Sequence, residues 1–235
     1  MSKVCKLYGG TVLYLDCIEC DDRELCIRGK RKMNKIVIGI DQSYKNTGVS
    51  IAVDNKLRQI TSIPLEDIRS NSEKRNLLRH KFNKLFSKAS TTVKYEPCEC
   101  IVIIERIRLR SEGFLNIDYI KSIGALNALI VDEASKFGLK VYSVDTRAWK
   151  SAIVGTSKEM SNKYGIDPKK WPTILYIKSL GYEEQIKREV GKRKKKGVIE
   201  KDGERFTYND DAADSACIAL YGFIPESKQL LQEEH

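Results

Sequence analysis

The sequence predicts an α/β fold, a mixed sheet of five strands flanked by helices, preceded by a small cysteine-rich extension. Three observations carry that expectation. Two apolar runs, Ile36-Val37-Ile38-Gly39-Ile40 and Ile101-Val102-Ile103-Ile104, read as strands buried on both faces. The first three strands follow one another across short breaks, as an antiparallel meander does. The later two alternate with segments whose apolar residues recur at helical spacing, which places them in the sheet in parallel.

The elements follow in order. Residues 1–32 stand apart, holding four of the seven cysteines and closing on the basic run Arg28-Gly29-Lys30-Arg31-Lys32. Residues 35–63 supply three strands, broken at 42–48 and at Asp54-Asn55, and Pro64 ends the meander. Leu77, Leu78, Phe82, Leu85 and Phe86 predict a helix over 73–89. A buried strand over 99–107 comes next. A long helix over 113–137 carries Ile120, Ile123, Leu126, Leu129 and Ile130 on one side and stops at Gly138. Residues 139–144 form a short strand, and Asp145 or Thr146 caps the helix through Ala148 and Trp149. Helices are expected at 172–180, ended by Gly181, and at 210–223. These elements make one domain over 33–225, with a charged insertion at about 184–207 and a tail at 226–235. A chain of 235 residues is long enough for such a core.

Acids sit at telling places in this pattern. Asp41 and Glu105 each end an apolar run, and a carboxylate there is costly to bury unless something pairs with it. A metal ion is one such partner; a turn role for Asp41 and an edge position for Glu105 are the alternatives. Asp211 and Asp214 lie three apart, on one face of the last helix. Asp210 and Asp211 also suit the positive end of a helix, so Asp210 is a rival to Asp211. Ser43 and Thr47 are either near this site or turn residues.

The net charge is +10, from 42 Lys plus Arg against 32 Asp plus Glu, and such an excess suits a polyanionic partner or simply a basic surface. No apolar run approaches the roughly 20 residues that span a bilayer, and no secretion signal opens the chain. The expectation is a protein of the cytoplasm that uses no membrane, with its cysteines as thiols or metal ligands rather than disulfides.

Asp41-Gln42-Ser43 with Thr47-Gly48, then Ile104-Glu105, then the segment Trp149-Lys150-Ser151-Ala152-Ile153-Val154-Gly155-Thr156, then Asp211-Ala212-Ala213-Asp214-Ser215-Ala216, stand in an order that resembles the RuvC-type Holliday-junction resolvases of the ribonuclease H-like superfamily. The resemblance covers about residues 36–223. It implies a structure-selective endonuclease that resolves four-way and other branched DNA junctions in recombination and repair, working as a homodimer. It implies that Asp41, Glu105, Asp211 and Asp214 hold two divalent ions, Mg2+ or Mn2+. Lys150 then stabilises charge at the cleaved phosphate, with Lys158 a weaker candidate; the alternative for Lys150 is a solvated lysine after a buried tryptophan. The family often has an aromatic wedge three positions past the catalytic Glu. Here that position is Arg108, so either Phe114 or Tyr119 takes the role or the protein reads junctions differently. Short resolvases with added elements resemble phage or other viral versions, and if this chain is viral the resemblance implies the cytoplasm of its host cell.

Two appendages lie outside the motifs. Cys17 and Cys20, with Cys5 and Cys26, can enclose one structural Zn2+ tetrahedrally, or remain four reduced thiols. Cys98 and Cys100 read as structural, and Cys217 as packing. Lys192, Arg193, Lys194, Lys195 and Lys196 form the densest basic run, read as a nucleic-acid arm or a solvated loop. Two rival functions share these features: a ribonuclease H-type enzyme on RNA/DNA hybrids, and a non-catalytic DNA-binding module.

Overall fold

The structure is a computed structural model and describes residues 2–4, 11–13, 34–95, 98–106, 117–155, 172–189, 199–201, 204–225 and 227–234. Short strands β1 (Ser2–Val4) and β2 (Thr11–Leu13) pair as an antiparallel hairpin. The main sheet begins with β3 (Asn34–Asp41), β4 (Asn46–Val53) and β5 (Lys56–Pro64), the expected meander. Its second turn is Asp54-Asn55, with φ of 49° and 64°; paired positive φ values are the signature of a hairpin turn whose twist matches its strands.

Helix α1 (Asn71–Tyr95) leads to β6 (Cys98–Glu105), and α2 (Ile117–Ser135) leads to β7 (Lys140–Val144). Both later strands are parallel: β6 beside β3, and β7 beside β6. After α3 (Thr146–Ile153), α4 (Pro172–Ser179) and α5 (Glu183–Ile186) come β8 (Lys187–Glu189), β9 (Ile199–Lys201) and β10 (Glu204–Tyr208), then α6 (Asp210–Tyr221), α7 (Ser227–Leu230) and β11 (Gln232–Glu234).

The order across the main sheet is β11-β7-β6-β3-β4-β5. All five expected strands are there, and β11 adds a sixth, antiparallel to β7. It comes from the stretch read as a tail. Gln232-Glu233-Glu234 has no apolar residue to announce a strand; backbone pairing and a 3.0 Å ion pair from Lys140 to Glu233 hold it. The far edge, β5, is met by α5: Gln185 accepts from the Ile60 amide at 3.1 Å, and the Tyr182 hydroxyl donates to the Leu57 carbonyl at 3.1 Å. The charged insertion carries strands that the sequence reading did not assign. Its described residues form a second sheet, β8-β10-β9, which Lys- and Glu-rich strands of three to five residues conceal from apolar periodicity. Residues 190–198 lie outside the described residues.

Alternation along β3 and β6 sorts the core into two layers. Ile38, Ile40, Val102 and Ile104 meet Leu78, Phe82 and Phe86 of α1 and Leu126, Leu129 and Ile130 of α2. The apolar side of α2 therefore covers the sheet. Glu133 lies buried between the two helices, its charge met by Arg79 at 3.1 Å and Lys136 at 2.6 Å. On the other face, Val37, Ile101 and Ile103 pack with α6 residues Ala212, Ala216, Ala219 and Cys217, and with Trp149 and Ile177. Cys217 is packing, as expected.

At two glycines of the sheet the backbone of helix α6 comes into direct contact with strand backbone. A Cβ on Gly39 would overlap the Ser215 carbonyl and the Ala219 backbone, and one on Gly48 would overlap the Asp211 carbonyl. The Ser50 and Ser215 hydroxyls bond across the seam at 2.7 Å. Because the obstacle at Gly48 is backbone, Gly48→Ala is expected to cost about 1–3 kcal/mol or more. Gly124→Ala in α2, where a Cβ meets nothing within 4 Å, is expected to gain about 0.5–1 kcal/mol. Urea unfolding of the two variants checks both.

Candidate active site

The four acids read from the sequence are delivered by three elements. Asp41 is the last residue of β3 and Glu105 the last of β6. These parallel strands pair Ile40 with Ile104, so the two acids stand side by side. Two residues back from each lie Gly39 and Ile103, both against α6, and the period of two puts the acids on that same face. Gly48 pairs with Asp41 and lies under the Asp211 carbonyl. Asn209 caps α6, accepting from the Ala212 amide at 3.1 Å, and so fixes the first turn that carries Asp211. Asp214 follows one turn along.

Each acid but one is held by neighbours. Glu105 Oε1 accepts from the Thr146 hydroxyl at 2.6 Å and Oε2 from the Trp149 indole at 3.3 Å, both on α3. Gln42 grips the Glu105 main chain at both ends, its amide donating to the carbonyl and its Oε1 accepting from the amide nitrogen. Asp211 Oδ2 accepts from Asn46 at 2.7 Å. Asn46 also donates to Asn209 at 2.9 Å, and Asn209 donates to Ser62 at 2.7 Å. Asp214 accepts from Thr173 and pairs with Lys150 at 3.1 Å. Asp41 has no side-chain hydrogen bond among the described residues.

The electrostatics follow from burial and crowding. Burial first, then Asp214, Glu105 and Asp211, push the Asp41 carboxyl well above the usual carboxylate range. Burial raises Glu105 against the hydrogen bond from Thr146 and the charge of Lys150. Burial raises Asp214 against Lys150 and Thr173. Asp211 is pushed up to about 6 by burial, with the Asn46 bond opposing and Asp210, Asp214 and Glu66 adding to the rise. Burial lowers Lys150, yet Asp214, Glu105 and Asp41 outweigh it and its pKa rises. Asp41, Glu105 and Asp214 thus share one cation, Lys150, among the charges acting on them in the described residues.

This donor set is all oxygen and anionic, the chemistry that Mg2+ and Mn2+ prefer. Among the described residues, however, no group of three or more His, Cys, Asp or Glu side chains is arranged to hold a metal ion. The fold brings the acids to one place, while Thr146, Trp149, Asn46, Thr173 and Lys150 occupy their oxygens. Asp210, the rival to Asp211, is exposed and bonds only to the Asp211 amide, at 3.2 Å, among the described residues.

Other expected residues fall elsewhere. Thr47 donates to the Ser43 carbonyl at 2.7 Å and serves the β3–β4 turn. Cys5, Cys17, Cys20, Cys26, Arg108, Phe114, Lys158 and Lys192, Arg193, Lys194, Lys195 and Lys196 lie outside the described residues. Sequence reading missed Asn46, Asn209 and Thr173, and saw Thr146 only as a cap. Their roles depend on long-range contacts; the sole local signal was Asn209 just ahead of a helix, a cap position.

The six-stranded mixed sheet with helices on both faces is an α/β fold of the RuvC and ribonuclease H-like type. Solved structures share it: a Thermus thermophilus RuvC structure, at TM-score 0.50 and 16% identity over 85% of this chain and 99% of that one, and T. thermophilus RuvC in complex with Holliday junction substrate, at TM-score 0.51 and 12% identity over the same shares. The yeast mitochondrial Holliday junction resolvase Ydc2 is similar at TM-score 0.39 and 18% identity, over 82% of this chain and 83% of that one. No family model matches the sequence. No curated protein matches it either. No described helix is long and apolar enough to cross a membrane.

The raised acids have a consequence for stability. Each binds its proton more tightly in the folded chain than in the unfolded one. The metal-free fold should therefore lose stability as the pH rises from about 4, the ordinary Asp value, through about 6, where Asp211 titrates. Asp41→Asn is expected to raise the metal-free melting temperature at pH 8, by about 2–4 °C for each kcal/mol of repulsion removed. Calorimetry across pH 4–8, with chelator present, measures both.

Proposed function

We propose that this chain is a divalent-metal-dependent endodeoxyribonuclease that cuts four-way and other branched DNA junctions. The observation that carries the reading is the convergence of Asp41, Glu105, Asp211 and Asp214, from separate parts of the chain, at one end of the sheet. Similarity of fold to RuvC, one structure of which is described with a Holliday junction substrate, supports the choice of substrate.

In this reading Asp41, Glu105, Asp211 and Asp214 hold two Mg2+ or Mn2+ ions. Such ions supply an activated water and neutralise the leaving oxygen of a phosphodiester. The residues of the chain do the rest. Thr146, Trp149 and Gln42 fix the angle of Glu105. Asn46 and Asn209 fix Asp211 at the head of α6. Lys150 lies beside Asp214, where its charge can meet a phosphate oxygen. Lys158, Arg108, Phe114 and Lys192, Arg193, Lys194, Lys195 and Lys196 would bind the junction arms. A homodimer would set two such sites against paired strands. Cys5, Cys17, Cys20 and Cys26 would hold a structural Zn2+.

Incubation with four-way junctions, flaps, linear duplex and RNA/DNA hybrid separates the readings. With Mg2+ the junction should be cut first, and chelator should stop cleavage. Asp41→Asn should lose cleavage and keep junction binding. Cutting of the hybrid alone would make the chain a ribonuclease, and activity untouched in Asp41→Asn would make it a binding module. Neutralising Lys192, Arg193, Lys194, Lys195 and Lys196 should weaken junction binding and flatten the slope of log affinity against log salt by roughly 0.9 for each DNA phosphate that the chain then leaves to its counterions. An unchanged slope removes the run from the interface.

A further inference from the structure

We propose that Lys150 is a built-in counter-ion, occupying the acidic site until divalent metal displaces it and frees its ammonium group for the substrate phosphate. The inference rests on the metal-site reading above and adds an order of events to it. Three observations on the structure carry it.

First, of the described groups that bond to the four acids, Thr146, Trp149, Asn46 and Thr173 are neutral, and Lys150 alone among them carries charge. A neutral donor on a carboxylate oxygen leaves the site's negative charge in place, whereas an ammonium 3.1 Å from Asp214 cancels part of it. Lys150 therefore competes with a divalent cation for the same charge. Its field also reaches Glu105 and Asp41.

Second, the lysine is hung so that it can leave. It sits in the last turn of α3, its Nζ 4.9 Å from the centre of the Trp149 ring. Its side chain keeps 43% of its surface exposed, while Asp214 keeps only 18%. The acid is fixed in the fold and the base has open space beside it. The indole ring already lies beside the ammonium in the paired state and stays within its reach when the ion pair breaks.

Third, α3 holds another acid of the site, Glu105, by residues other than the lysine. Thr146 and Trp149 of the same helix hold Glu105. Release of Lys150 then leaves Glu105 in place, and the site changes by one flexible side chain rather than by a shift of backbone.

The consequence is linkage. Metal entry carries the cost of breaking the Lys150–Asp214 pair, so removing the lysine should strengthen metal binding even as it takes a cation away from the phosphate. Titration calorimetry with Mn2+ reads this without any cleavage assay. Lys150→Met, which keeps the stem, should bind Mn2+ about tenfold more tightly than wild type. Lys150→Arg should stay near wild type, and Lys178→Gln, at a pair with Glu183 away from the site, should not change it. A second measurement uses the unaltered protein. Acetylation of Lys150 by a succinimidyl ester, followed by mass spectrometry, should speed up severalfold on adding Mg2+. Equal or weaker Mn2+ binding by Lys150→Met, or acetylation indifferent to Mg2+ in a protein that binds it, overturns the counter-ion role and leaves the metal site standing. A wild-type chain that takes up no Mn2+ overturns both.

Discussion

The close seating of α6 on the sheet governs the rest of this molecule. Gly39 and Gly48 supply no side chain, and Ala212, Ala216 and Ala219 supply little, so helix backbone rests on strand backbone. Only at that separation does the head of α6 reach the end of β3, where Asp41 emerges. A larger residue at either glycine would lift the helix, and the carboxylates would part. The same seam makes the molecule intolerant there, because the atoms in the way are carbonyls and amides that cannot step aside.

Placing four acids together has its own cost, and the structure shows how it is borne. Hydrogen bonds from Thr146, Trp149, Asn46 and Thr173 spread the charge of three of them, and Lys150 offsets part of the remainder. Asp41 is left with three acids that repel it and only the charge of Lys150, among the described residues, against them. Function-bearing sites are where such local conflict with stability is expected. On the opposite face the one buried acid among the described residues, Glu133, is met by Arg79, Lys136 and Asn83.

Much of this was legible in the sequence because it is written in local periodicity. The apolar runs of β3 and β6, the helical spacing of Leu78, Phe82 and Phe86, and the Asp-Ala-Ala-Asp spacing of α6 each depend on a few adjacent residues. What stayed hidden depends on distance in the chain. Nothing near Asn46 announces that it will meet Asp211, 165 residues on, and nothing near Gln42 announces the main chain of Glu105. Polar strands were hidden for a different reason. In β8, β10 and β11 the backbone ladder does the holding, and side chains such as Lys187, Arg188, Glu233 and Glu234 reveal no buried face.

The margins of the main sheet decide how two copies could meet. A bare outer strand is a template on which another chain can add its own, the route to swapped or aggregated forms. Here the β7 margin is taken by the chain's own β11, with Glu233 and Glu234 on it, and the β5 margin has Gln185 and Tyr182 on its amide and carbonyl. Growth by continuous cross-molecule pairing is thereby discouraged on both sides. For the main sheet, association between copies is thus turned away from its two margins and toward helices and side chains.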